Sequence, residues 1–350
     1  MRVLKLDGLR GIFSFMIVLF HYDPRIIPNF VVENFIIRES WIFVEFFFVL
    51  SGYVISYNYI NIKTKADLKI FMFKRFIRLY PLLLFTTLLF LIFESFSNLF
   101  LINIINTPES ISSLLIKTFD TLLLTNSTPI LGNSSGMNGP SWSISAEMIS
   151  YLIFGLIVFI SKAKYRPLFF LALIFLSGFF YLTKTPGLDL DFLRGTISFS
   201  LGVILYYVNK FKFRLNKYFE LLIPLGLLLS MYLINLKTEN YAIHRTVTIN
   251  FVFFISVGIL LKTNGVISRL LENSLFQYLG KISYSIYLNH LIIITIIPRL
   301  FFSILKIDQS VFSQLFVMII SIIITLIYSN LTYNKIEVNA GNFFKSKFLN

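Results

Sequence analysis

The side chains with most chemistry to offer lie inside or beside apolar runs, where an ionisable group is costly and therefore informative. Arg10 and His21 bracket the first such run. Eleven helical steps of about 100° return to nearly the same face, so the two would share one side of a helix, about 16 Å apart along its axis. Imidazole is the natural general base near neutral pH, which makes His21 the candidate base. Glu45 sits in Val44-Glu-Phe-Phe-Phe-Val-Leu-Ser-Gly52, the most apolar part of the second run. A carboxylate there must be protonated or partnered. A histidine on the neighbouring helix would suit, with Glu45 fixing its tautomer.

Three further stretches carry candidates. Lys74-Arg-Phe-Ile-Arg-Leu-Tyr-Pro81 follows Lys63, Lys65 and Lys69. Arg75 and Arg78 are i, i+3 on one face, and with Lys74 they form a patch suited to phosphate. The ordinary alternative is a basic anchor at the membrane surface. Gly139-Pro-Ser-Trp-Ser-Ile-Ser-Ala-Glu147 enters a helix. Trp142, Ser143 and Glu147 there are either an interfacial cap or a sugar-stacking ring, a polar side chain and a pocket carboxylate. Ser283-Tyr-Ser-Ile-Tyr-Leu-Asn-His290 places Tyr287 and His290 at i, i+3 in a late helix. Glu94 and Arg194 are further charges within or beside spans to which the sequence assigns no partner. Cysteine is absent. That excludes a disulfide framework, a thiol nucleophile and cysteine-ligated metal. No metal site and no permanently bound cofactor is expected.

The elements that must hold these residues are transmembrane helices. The 350 residues are 56% hydrophobic and only 14% charged. A soluble domain is typically about 25% charged. Ten runs, 8–23, 41–60, 79–102, 146–160, 168–182, 192–208, 218–236, 246–261, 282–302 and 312–332, could span a bilayer, which takes about 20 residues of helix. The expected fold class is all-α, a polytopic membrane bundle of about ten helices, with 1–350 as a single domain. With the N-terminus in the cytoplasm, the inside segments hold 22 of the 31 Lys and Arg. The positive-inside rule then puts both termini in the cytoplasm. The net charge of +14 therefore reads as a topology signal, with membrane lipid and not nucleic acid as the partner. One long outer connection, 103–145, contains an apolar-periodic stretch and then, over 126–145, a Gly/Asn/Ser/Pro segment with no core of its own.

These stretches, in this order, resemble the acyltransferase family 3 membrane proteins, which include bacterial O-antigen and other polysaccharide O-acetyltransferases. Leu6-Asp-Gly-Leu-Arg-Gly11 followed by His21 resembles the opening motif. Phe48-Val-Leu-Ser-Gly52 resembles the second, with Glu45 where the family usually has an acid. Lys74-Arg75-x-x-Arg78-x-x-Pro81, Trp142-Ser143-x-x-x-Glu147 and the stretch ending at His290 resemble the rest. The family's last span often ends in an acid followed closely by Pro. Ile336-Glu337-Val338-Asn339 has none, which leaves the conformation of the tail open. The resemblance implies the bacterial cytoplasmic membrane, and the chain is expected to be a stand-alone membrane domain, without the fused extracytoplasmic domain that some relatives carry. It implies acyl-coenzyme A, most often acetyl-coenzyme A, as a cytoplasmic co-substrate and a carbohydrate hydroxyl as the outer acceptor. His21 would be the base, with Glu45 and Arg10 beside it, and Arg75 and Arg78 would hold the donor. A polysaccharide polymerase or flippase would share the span count, basic bias and long outer loop. It would need neither the arginine pair nor a His21–Glu45 pairing.

Overall fold

All ten apolar runs lie largely in helices of the computed structural model, which describes residues 3–100, 109–131, 136–183, 188, 190–212, 214–237, 241 and 244–348. The longer elements are α1 (Leu4–Phe20), α2 (Phe43–Tyr59), α3 (Lys65–Phe100), α4 (Ile111–Leu122), α5 (Trp142–Ile160), α6 (Arg166–Thr183), α7 (Phe192–Asn209), α8 (Leu222–Asn235), α9 (Ile249–Lys262), α10 (Ser274–Pro298), α11 (Val311–Thr332) and α12 (Asn339–Phe348). No strand occurs among the described residues. In hydrocarbon a backbone must satisfy its own polar groups, which an α-helix does within one segment.

Eight helical segments are long and apolar enough to cross a membrane. The two runs outside that set are α1, with 17 residues, and α7, with 18. Both line the interior. Arg194, Thr196, Ser198 and Ser200 of α7 are buried, as is Ser14 of α1. Neighbouring helices, not lipid, cover these side chains, so the two helices can be shorter and more polar than the rest.

Glycine sets the closest approaches. α1 and α10 run side by side in the same direction. A Cβ on Gly280 would lie 2.0 Å from the Asp7 carbonyl oxygen, and one on Gly11 would lie 2.6 Å from the Gly280 nitrogen. The backbones therefore touch where no side chain fits between them. α2 and α7 form a second parallel pair of the same kind. A Cβ on Gly52 would lie 2.0 Å from the Phe199 oxygen, and one on Gly202 2.0 Å from the Val49 oxygen. Small residues permit such contact in a bilayer, where apolar side chains gain little by leaving lipid for one another.

Three features differ from the sequence expectation or settle what it left open. The basic stretch and the third run form one 36-residue helix, α3, with Pro81 inside it and not at a span's start. The C-terminal tail continues α11 through a π-helical turn, Tyr333–Val338, into α12. Most of the described part of the outer connection after α4 is packed into the bundle and does not lie free. Asn126, Ser127, Asn138 and Ser141 are fully buried. Asn126 Nδ2 donates to Ser141 Oγ (2.9 Å), Ser127 Oγ lies 2.7 Å from Ser145 Oγ, and Asn138 Nδ2 donates to the Leu288 carbonyl (3.0 Å). These internal hydrogen bonds replace the apolar core the segment lacks. Residues 103–108 and 132–135 of that connection lie outside the described residues.

Gly280→Val should lower the thermal midpoint of the purified protein in detergent, because overpacking typically costs about 1–3 kcal/mol and here the obstacle is backbone. Gly178→Ala, where nothing lies within 4 Å of the added Cβ, should leave the midpoint unchanged or slightly raised. Equal midpoints for the two variants would show that the α1–α10 contact is not tight.

Candidate active site

The parallel register of α1 and α10 brings two histidines together. His21 lies ten residues beyond Gly11, and His290 lies ten beyond Gly280. At 1.5 Å per residue, both are carried about 15 Å from the glycine contact. His290 Nε2 and His21 Nδ1 are 3.2 Å apart. His21 Nδ1 also lies 2.9 Å from the Ile17 carbonyl, and His290 Nδ1 lies 3.2 Å from that of Ile286. A carbonyl can only accept, so each neutral ring carries its proton on Nδ1. The Nδ1–H of His21 then points at Ile17 and His290 together. Its Nε2 keeps a free lone pair, as a base requires. His21 also caps the C-terminus of α1, where the helix dipole favours the imidazolium that proton abstraction would create. His290 is fully buried, and His21 only partly.

Glu45 does not orient His21. Its Oε1 accepts from Arg194 Nε (3.0 Å) and Nη2 (2.6 Å), while Oε2 has no hydrogen-bond partner. The cause is helix pairing. The glycine contact between α2 and α7 aligns Glu45 with Arg194, the intramembrane arginine left unpartnered by the sequence. The same guanidinium lies 4.5 Å from the centre of the Trp142 ring and 5.5 Å from that of Trp41. One face of Trp142, the ring expected to stack on sugar, is thus engaged by a cation.

A cavity of about 480 Å³ lies among α1, α2, α3, α5 and α10. Tyr57, Asn58, Tyr59 and Arg75 line one end, Arg10, Arg78, Ser51, Glu147 and Tyr151 the middle, and Phe47, Phe48, Ser143 and Tyr287 the other end. Arg75 donates to the Tyr59 hydroxyl (3.3 Å) and lies over its ring. Arg10 Nη1 is 3.7 Å from Asp7 Oδ1, and Arg78 Nη2 is 3.9 Å from Glu337 Oε1. Glu147 accepts from Ser51 Oγ (2.7 Å) and from the Tyr151 hydroxyl, so it lies within the cavity and not at an interfacial first turn. Ser143 Oγ and the Tyr287 hydroxyl are 2.9 Å apart, and each reaches the Pro140 carbonyl. The Tyr287 ring lies 6.1 Å from that of His290, which joins the cavity's end to the histidine pair. Lys74 is not among the lining residues.

Residues 3–330 match the model of the acyltransferase domain family. The chain belongs to acyltransferase family 3. No curated protein and no solved structure matches it. Membership makes this polytopic helical protein a membrane acyltransferase. Arg194, Tyr151 and Glu337 were not assigned to the site from sequence. The signals for them were an intramembrane charge, an i+4 spacing from Glu147, and an acid near the end of the last span.

Removing one partner from a buried ion pair costs about 3–5 kcal/mol, whereas replacing both with apolar groups is often near neutral. Arg194→Met should therefore destabilise the acyltransferase much more than the double variant Glu45→Met/Arg194→Met, as read by thermal unfolding in detergent. Additive losses would show that the two side chains do not act as a unit.

Proposed function

We propose that the protein moves an acyl group, acetyl being the simplest, from acyl-coenzyme A on the cytoplasmic face of a bacterial inner membrane to a hydroxyl on the other face, on a cell-surface polysaccharide or lipid-linked glycan. The observation that carries the reading is the polarity of the cavity. Its guanidinium-bearing end belongs to the basic side of the bundle, and its far end closes on Tyr287 beside the histidine pair. Coenzyme A is a phosphate-rich nucleotide with a slender thiol arm. Arg75, Arg78 and Arg10 suit the phosphates, and the end lined by Phe47 and Phe48 suits the thioester.

In this mechanism His21 Nε2 takes the proton of the acceptor hydroxyl as its oxygen attacks the thioester carbonyl. The carbon–oxygen bond forms and the carbon–sulfur bond breaks. The thiolate leaves as coenzyme A and recovers a proton, directly or through water, as the imidazolium returns to its neutral form. His290 accepts from the Nδ1–H of His21 and stabilises the cation while it lasts. Glu45 acts one step removed, holding Arg194 against Trp142, and these two residues form the acceptor side. Lys74 adds attraction for the donor without contacting it.

His21→Ala should abolish acyl transfer to glycan while the protein still inserts in the membrane and binds acetyl-coenzyme A. Near-normal acetylation by that variant would remove His21 from the mechanism. The double variant Arg75→Ala/Arg78→Ala should raise the apparent donor constant by at least about tenfold, since one charge-assisted contact is worth roughly 1.5–3 kcal/mol. The acceptor constant should change little. An unchanged donor constant would return both arginines to the role of topology anchors.

A further inference from the structure

We propose that the basic end of the cavity is a purine-binding subsite, in which Tyr57 stacks on the adenine of the donor and the Asn58 amide reads its amino edge. This inference rests on the acyl-coenzyme A reading above. It goes beyond it by naming what binds the base.

The side chains along α2 follow a definite order. Tyr57 and Asn58 line the cavity at the end of that helix, Ser51 lies near its middle, and Phe47 lies at its inner end. Ten residues separate Tyr57 from Phe47, about 15 Å at the helical rise. Arg75, Arg78 and Arg10 face this stretch from α3 and α1. From the mouth inward the lining is therefore aromatic and amide beside Arg75, then a middle band in which Arg10 and Arg78 share the level of Ser51, Glu147 and Tyr151, then Phe47 and Phe48 with the Ser143 and Tyr287 hydroxyls. An adenine nucleotide thioester presents its parts in the matching order: base, phosphates, amide-bearing arm, acyl group.

Of the tyrosines at the mouth, only Tyr57 has a ring to offer among the described residues. Tyr59 has its ring and its hydroxyl taken by Arg75, and Tyr53 is buried with its hydroxyl accepting from Asn209. Tyr57 is 49% exposed. It has no ring, cation or hydrogen-bond partner among the described residues. Asn58 Nδ2 donates to the Val54 carbonyl (2.7 Å). That bond fixes the amide and leaves Oδ1 as an open acceptor, the group that an adenine amino donor requires. A Tyr serving only as a membrane-surface anchor would be indifferent to the base, and this separates the two roles.

The test uses the full-length protein purified in detergent, with S-acetyl-4′-phosphopantetheine as a donor fragment that keeps one phosphate and lacks the nucleotide. Removing an aromatic platform from a nucleic acid base costs about five- to hundred-fold in affinity. Tyr57→Leu should weaken acetyl-coenzyme A by a factor in that range and leave the fragment's affinity unchanged, while Tyr57→Phe should bind both as wild type does. Asn58→Leu should abolish the preference for acetyl-coenzyme A over its 1,N6-etheno derivative, whose amino edge is blocked. Equal weakening of both donors by Tyr57→Leu, no weakening of either, or an unchanged preference in Asn58→Leu would overturn the subsite. If wild type binds neither thioester, the acyl-coenzyme A reading itself fails, and the subsite with it.

Discussion

The close approach of α1 to α10 is the constraint on which the rest of the site depends. Two backbones touch at Gly11 and Gly280 because no Cβ stands between them. Both helices run in the same direction and rise equally per residue. A contact set at one level is therefore repeated, in register, ten residues further on. The histidine pair occupies that position, 3.2 Å from nitrogen to nitrogen. The glycines do not contribute chemistry. They convert two distant stretches of sequence into one hydrogen-bonded unit, with Arg10 on the same helix facing the cavity.

The pair α2 and α7 repeats the device for a different purpose. Gly52 and Gly202 bring the backbones together, and Glu45 meets Arg194 beyond them. A carboxylate and a guanidinium buried this deeply are stable only with each other. The pair also places a cation behind Trp142. One glycine contact thus serves the proposed base and the other serves the proposed acceptor side. The cavity lies between them, with Tyr287 at the junction.

Much of the architecture was legible in the sequence because hydrocarbon restricts the choices. Runs of about 20 apolar residues in hydrocarbon must be helices. The candidate side chains were legible because an ionisable group inside such a run is rare. Most of them prove to lie on the cavity or the histidine pair. What sequence spacing could not supply was the pairing between helices. Glu45 and His21 looked suited to one another by type and depth, yet each has a different partner, because side-chain complementarity does not decide which helices touch. That is decided by where glycines allow backbones to meet. The segment over 126–145 was opaque for a related reason. Its composition shows that it has no apolar core, but not that Asn126, Ser127, Ser141 and Ser145 would satisfy one another inside the bundle. Lys74 shares the basic stretch with Arg75 and Arg78, but only the two arginines turn toward the cavity.

In the proposed reaction donor and acceptor meet from opposite faces of the membrane, with His21 on the acceptor side. Sealed inverted membrane vesicles holding the acceptor glycan in their lumen test it most directly. Acetyl-coenzyme A labelled in its acetyl group is supplied outside, and the label on the glycan is counted after the external face is digested with glycosidase. Label on protected, lumenal glycan, with free coenzyme A released outside, is expected if the two substrates meet from opposite faces. Label that appears only on external glycan, or only after the vesicles are opened, would contradict it.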